Sequence, residues 1–134
     1  ALIFTALTFG GMIFFAVLIA PCIFVYLDEI NAGKLIRSIF PWYYLFIFVS
    51  GGIGAVVAAL VSPYAAIGLA ISSIGAVTAR TILIPRINAA RDKSTAGDTN
   101  AEKSFNRLHK FSVQLNFIGV VSSLTALVFL SLKL

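Results

Sequence analysis

Cysteine, histidine and acidic side chains are scarce in this chain, and each scarcity removes a class of chemistry. Cys22 is the only cysteine, so neither an internal disulfide nor a cysteine-held metal cluster can form. His109 is the only histidine, which excludes two-histidine haem ligation within one chain and leaves too few donors for a metal site. Five acidic residues stand against ten basic ones, and none lies deep in an apolar run. A conventional intramembrane proton relay therefore lacks its carboxylate. His109 and Ser112 fall one turn apart on a single expected helix, with no Gly-x-Ser-x-Gly elbow and no acidic orienter, so a serine hydrolase has no triad. Gly51, Gly52 and Gly54 lie inside an apolar run and not in a phosphate-cradling loop. The reading is of a chain that is not an enzyme, with no catalytic residue, no metal and no cofactor.

What is abundant is apolar surface. Of 134 residues, 60% are hydrophobic and 11% charged, more apolar area than a soluble domain of this size can hide from water. The apolar residues fall into four runs, 2–27, 41–61, 64–84 and 111–132. Each is long enough to cross the hydrocarbon, which takes about 20 helical residues. The first has no basic leader and is too long for the apolar part of a cleavable signal, so it reads as a span. The expected fold is an all-α integral membrane protein, one domain over 1–134, built as a bundle of four transmembrane helices. Helices two and three, separated only by Ser62 and Pro63, form a tight antiparallel hairpin.

Prolines and polar segments set the expected limits. Pro21 is expected to kink helix one, Pro41 to open helix two at its first turn, and Pro85 to end helix three. Residues 28–40 and 85–110 read as polar loops. Within the second, Thr99 followed by Glu102 is a capping-box pattern, so helix four is expected to begin near Asn100 and run into the membrane at Lys110.

The charge balance is +5, but its placement argues against nucleic acid, since the cations flank apolar runs or crowd between them. Lys34, Arg37, Arg86, Arg91, Lys93, Lys103, Arg107 and Lys110 fall on one side and only Lys133 on the other. By the positive-inside rule both polar segments face the cytoplasm and both termini lie outside, with Trp42, Tyr43 and Tyr44 at the cytoplasmic interface. A bacterial inner membrane suits so compact a chain.

Helix packing in lipid relies on close approach, so small residues matter. Gly51, Ala55 and Ala59 recur every four residues on helix two, and Gly68, Ser72 and Ala76 do so on helix three. The two rows are expected to face each other. Arg80 is the most informative single residue. It lies about 7 Å inside helix three, either snorkelling to cytoplasmic phosphates or turned inward. His109, Ser112 and Asn116, spaced i, i+3, i+7, share one face of helix four at comparable depth, with Phe105 one turn before them. An inward Arg80 would complete a polar intramembrane cluster with these three, whereas Gln114 points elsewhere.

Three short blocks resemble a known family in order and spacing. They are Phe40-Pro41-Trp42-Tyr43-Tyr44, Ala79-Arg80 followed by Pro85-Arg86, and Phe105-Asn106-Arg107-Leu108-His109 through Ser112 to Asn116. The chain resembles the small four-helix membrane family labelled as a domain of unknown function, whose vertebrate member is called transmembrane protein 205. The resemblance implies that Pro41, Arg80, Pro85, His109, Ser112 and Asn116 are its characteristic polar and proline positions, and it favours an inward Arg80. The polar segment after helix three is shorter here than in the vertebrate member, and the label supplies no reaction.

The functional expectation is a non-catalytic accessory or scaffold subunit, bound to other transmembrane subunits of a respiratory, photosynthetic or transport complex. Phe14, Phe15, Phe24, Phe46, Phe48 and Phe129 would offer surface to partner helices, pigment or lipid tails. The alternative is a small homo-oligomeric transporter or channel for an anionic or drug-like solute, using the Arg80, His109 and Asn116 cluster. Membrane lipids are partners in either case, and the basic segments would attract anionic headgroups.

Overall fold

The computed structural model describes residues 1–134. Four helices account for nearly all of them: α1 (Leu2–Tyr26), α2 (Glu29–Ala59), α3 (Pro63–Thr95) and α4 (Thr99–Ser131). All four are long and apolar enough to cross a membrane, and there is no sheet. The chain is an all-α, four-helix bundle with a tight α2–α3 hairpin. Ser62 caps α3 by accepting the Ala65 N–H, and Pro63 occupies the first turn, where its missing N–H costs nothing.

The helices are longer than their apolar runs. At about 1.5 Å per residue, the 31 residues of α2 and the 33 each of α3 and α4 extend some 46–50 Å, against a hydrocarbon thickness of about 30 Å. The expected loop 28–40 is therefore almost entirely helix. Asp28 caps α2 by accepting from the Asn31 N–H, and the helix runs on unbroken through Pro41, which sits in its interior and not at its first turn. The expected loop 85–110 is likewise helical except for Ala96–Gly97–Asp98.

Proline fails to end α3 for a local reason. Both α1 and α3 contain one widened π-type turn, at Phe15–Ile19 and at Ala79–Leu83, where Ala20 N–H reaches back to Phe15 O and Ile84 N–H to Ala79 O. Each wide turn is followed two residues later by a proline, Pro21 and Pro85. A proline ring collides with the carbonyl four residues back, and those carbonyls belong to Val17 and Thr81, inside the widened turns. The wider turn moves the carbonyl aside, so the helix continues.

The α3–α4 link is a compact reversal. Asp98 N–H bonds Lys93 O at 3.1 Å and Gly97 N–H bonds Ser94 O at 3.0 Å, the paired bonds of a Schellman cap. Gly97 holds φ = +100°, a conformation that side chains disfavour. Asp98 then caps α4, its Oδ1 accepting from Asn100 N–H at 2.9 Å and Ala101 N–H at 3.2 Å. Helix four is continuous as expected, but the cap is Asp98 and not Thr99.

The small-residue rows pack differently from expectation. Gly51 does meet α3: a Cβ there would lie 3.4 Å from Leu69 O and from Ser73 Cβ. Further along, Ala55 is half-buried and Ala59 exposed. A row of every fourth residue drifts about 40° per step round the helix, whereas the buried positions Ile47, Gly51, Gly54 and Ala58 alternate steps of four and three and hold their direction. On α3, Gly68 and Ser72 serve α4 and not α2. A Cβ on Gly68 would lie 2.6 Å from Ser122 O, and the Ser72 hydroxyl donates to Gly119 O at 2.8 Å. Ala76 joins Tyr43, Tyr44 and Ile47 of α2. As the middle helix, α3 has neighbours on two sides, so its drifting row passes from one to the other.

Candidate functional site

The interior is lined by short hydroxyl side chains, and each crosses to a neighbour or folds back on its own helix. Thr8 donates to Ser50 Oγ at 2.9 Å, joining α1 to α2, while Ser50 donates to Phe46 O at 2.8 Å. Ser73 donates to Phe48 O at 2.9 Å, joining α3 to α2. No buried side-chain nitrogen or oxygen lacks a partner. That completeness is what a low-dielectric interior demands, because water is not there to substitute.

Toward the charged end, aromatic rings replace the hydroxyls. Phe15 stacks on Tyr43 with centroids 4.3 Å apart, and Phe40 on Tyr44 at 5.8 Å. Both tyrosines are buried, so of the expected interfacial trio only Trp42 lies on the surface. Phe15, expected on the outer face, is buried too. Both wide turns feed this cluster: Phe15 comes from one, and Ala79 and Leu83 from the other.

The four residues of the expected polar cluster are not joined. Tyr43 O–H donates to Asn116 Oδ1 at 2.8 Å, so Asn116 is satisfied by α2. Ser112 turns back to His109 O at 2.7 Å on its own helix. His109 is exposed and its ring stacks on Phe105, 5.9 Å between centroids and nearly parallel. Arg80 is exposed and has neither a hydrogen-bond partner nor an ion pair. Leu69, Ser73, Ala76, Leu83 and Ala90 form a buried seam whose 4–3 spacing would include position 80, but Ala79 fills the core at that level and Arg80 faces outward.

Asn116 also borders the cavity at the centre of the bundle, with Met12, Tyr44, Ser72 and Gly119. Its volume is about 10 Å³, at most the room of a single water. A second, open groove of about 250 Å³ runs along the outside between α3 and α4, edged by Tyr64, Ile71, Val121 and Phe129.

Beyond the aromatic cluster the helical ends carry the charges. Arg37 of α2 meets Asp92 of α3 at 2.8 Å and also donates to Asn88 O. Arg91 approaches Glu29 at 3.5 Å and lies 5.0 Å from the Phe105 ring centre. These two ion pairs and one cation–π contact tie α2, α3 and α4 together where the sequence suggests polar loops. Asn31 hydrogen bonds hold the Asp28 carboxyl below its ordinary range. Lys34, Arg86, Lys93, Lys103, Arg107 and Lys110 are exposed without acidic partners, alongside Arg80.

The Tyr43–Asn116 bond was within reach of sequence reasoning. Tyr43, Ile47, Ser50 and Gly54 repeat at 4–3–4 spacing, which marks Tyr43 as a core position. The Arg91–Phe105 contact has no comparable signal, because it depends on the reversal at Gly97.

No curated protein and no solved structure matches the chain. A family described as "Domain of unknown function (DUF4149)" matches residues 3–96, which covers α1, α2 and α3 and leaves α4 outside. With more than two thirds of its length matched, four membrane-crossing helices and no sheet, the chain is a multi-pass integral membrane protein that belongs to this family of unknown function.

Proposed function

We propose that the protein is a non-catalytic accessory or scaffold subunit of a larger membrane assembly, acting through its outer surfaces. The supporting observation is the filled interior: hydroxyls and aromatic rings occupy the bundle, and the cavity beside Asn116 has room for only about 10 Å³. A solute path through one copy would need a continuous polar lumen. Large apolar side chains meanwhile face outward on all four helices, among them Phe14, Phe24, Phe46, Ile74 and Phe117. In this reading the host is a bacterial inner membrane, with the charged helical ends in the cytoplasm and both termini outside. Eight cations against one support that direction.

The test is gentle solubilisation from the native membrane, followed by identification of everything that comigrates. Comigration at fixed stoichiometry with a respiratory, photosynthetic or transport complex is the expected result. Migration alone as a small homo-oligomer, with solute flux after reconstitution, would replace this reading by transport between copies.

A further inference from the structure

We propose that the exposed face of α4 between Lys103 and Lys110 is a binding surface for the headgroups of anionic phospholipids in the leaflet it enters. Lys103, Arg107 and Lys110 are spaced i, i+4, i+7, and at 100° per residue they fall within about 60° of one another. All three are exposed and none takes part in either ion pair. The acids nearby do not compensate them. Asp98 is engaged in capping α4, and Glu102 lies about 100° round the helix from Lys103. Asp92 and Glu29 are committed to Arg37 and Arg91.

Depth selects the ligand. From Phe111 to Ser131 α4 carries no charge, and these 21 residues measure about 32 Å, one hydrocarbon thickness. Lys110 therefore stands at the hydrocarbon edge. Arg107 is about 4.5 Å further out, inside a headgroup layer roughly 5–8 Å deep, and Lys103 is about 10 Å out, within one Debye length of the phosphates. A flexible loop would spread these charges, but the continuous helix from Thr99 holds them as a ladder across the interface. Exposed Phe111 lies just below, where acyl chains begin, and exposed Phe117 about 10 Å deeper. Lys34, Arg86 and Lys93 are also unpaired, but they are divided between α2 and α3 and form no such ladder.

The test uses the full chain in phosphatidylcholine nanodiscs with graded phosphatidylglycerol, and counts retained lipids by native mass spectrometry. Wild type is expected to retain phosphatidylglycerol about tenfold over phosphatidylcholine, since each interfacial cation contributes about fivefold and their effects overlap. The variant Lys103→Gln/Arg107→Gln/Lys110→Gln should lose most of that preference. The variant Lys34→Gln/Arg86→Gln/Lys93→Gln, with the same loss of charge, should keep it. Equal loss in both variants would overturn the proposal in favour of net charge alone. No preference in wild type would also overturn it, and if the α4 variant then lost a native complex, the surface would belong to an acidic protein. A salt titration of wild type checks the proposal without any substitution: the preference should fall between 0.05 M and 0.5 M salt, as flagged by a Debye length that shrinks to roughly a third.

Discussion

The contact between α3 and α4 at Gly68 gives the sharpest packing prediction. In Gly68→Ala the new methyl would lie 2.6 Å from Ser122 O and 3.3 Å from Ala126 Cβ. A backbone oxygen cannot rotate away, so the helices must separate, and overpacking of this kind costs about 1–3 kcal/mol. Separation also stretches the 2.8 Å bond from Ser72 to Gly119 O, a class of interaction worth about 0.6 kcal/mol in a bilayer. Against this stands a helix-propensity gain of about 1 kcal/mol for alanine over glycine. The expected net loss is about 1–2 kcal/mol. Gly75→Ala is the matched control, because its methyl would meet only Leu115 carbons at 3.6 Å, an ordinary contact. It should be neutral or stabilising by up to about 1 kcal/mol. Unfolding in mixed micelles by titration with sodium dodecyl sulfate, followed by circular dichroism, measures both. Equal stabilities for the two variants would refute the close α3–α4 approach.

Other perturbations follow from single contacts. Tyr43→Phe removes the bond to Asn116 and should cost about 0.5–1 kcal/mol in the same titration, with Asn116→Ala adding little on top because the two share one interaction. Gly97→Ala forces a side chain into φ = +100° and should destabilise by about 1 kcal/mol, whereas Gly33→Ala in α2, with nothing within 4 Å, should not. Arg37 and Asp92 are 43% and 65% exposed, so a double-mutant cycle should return a coupling of about 0.5 kcal/mol or less, shrinking in high salt. Asp28 has a lowered pKa, so its capping contribution is complete above the unfolded value and is lost as pH falls below 3.8 toward the folded one. Helicity of the wild type should therefore decline at the acid end by an amount that Asp28→Ala no longer shows.

How much of this was legible depended on whether a feature is local. Four spans, the Ser62–Pro63 turn and the unbroken start of α4 follow from hydropathy and capping chemistry along the chain. Pro85 misled because a widened turn, Ala79–Leu83, absorbs it without ending α3, whereas Pro41 lies inside α2 with no widened turn beside it. Spacing alone places Arg80 on the seam, but Ala79 fills the core at that level and Arg80 faces outward, a choice that only the packed structure decides. Polar composition misled over 28–40 and 85–110, where Arg37–Asp92, Arg91–Glu29 and Arg91–Phe105 knit charged helices together outside the apolar zone. Small-residue spacing identified close contacts, but only the crossing of α3 between two neighbours decides that Gly68 serves α4.

If the protein works through its outer faces, cross-linking in the native membrane should capture what those faces touch. A photoreactive side chain would be placed in turn at Val56, Ile74 and Phe117, which are 73%, 63% and 66% exposed on α2, α3 and α4. At least one position should yield a single adduct of fixed mass to a different membrane protein. Adducts to lipid or to a second copy alone, at all three positions, would contradict it.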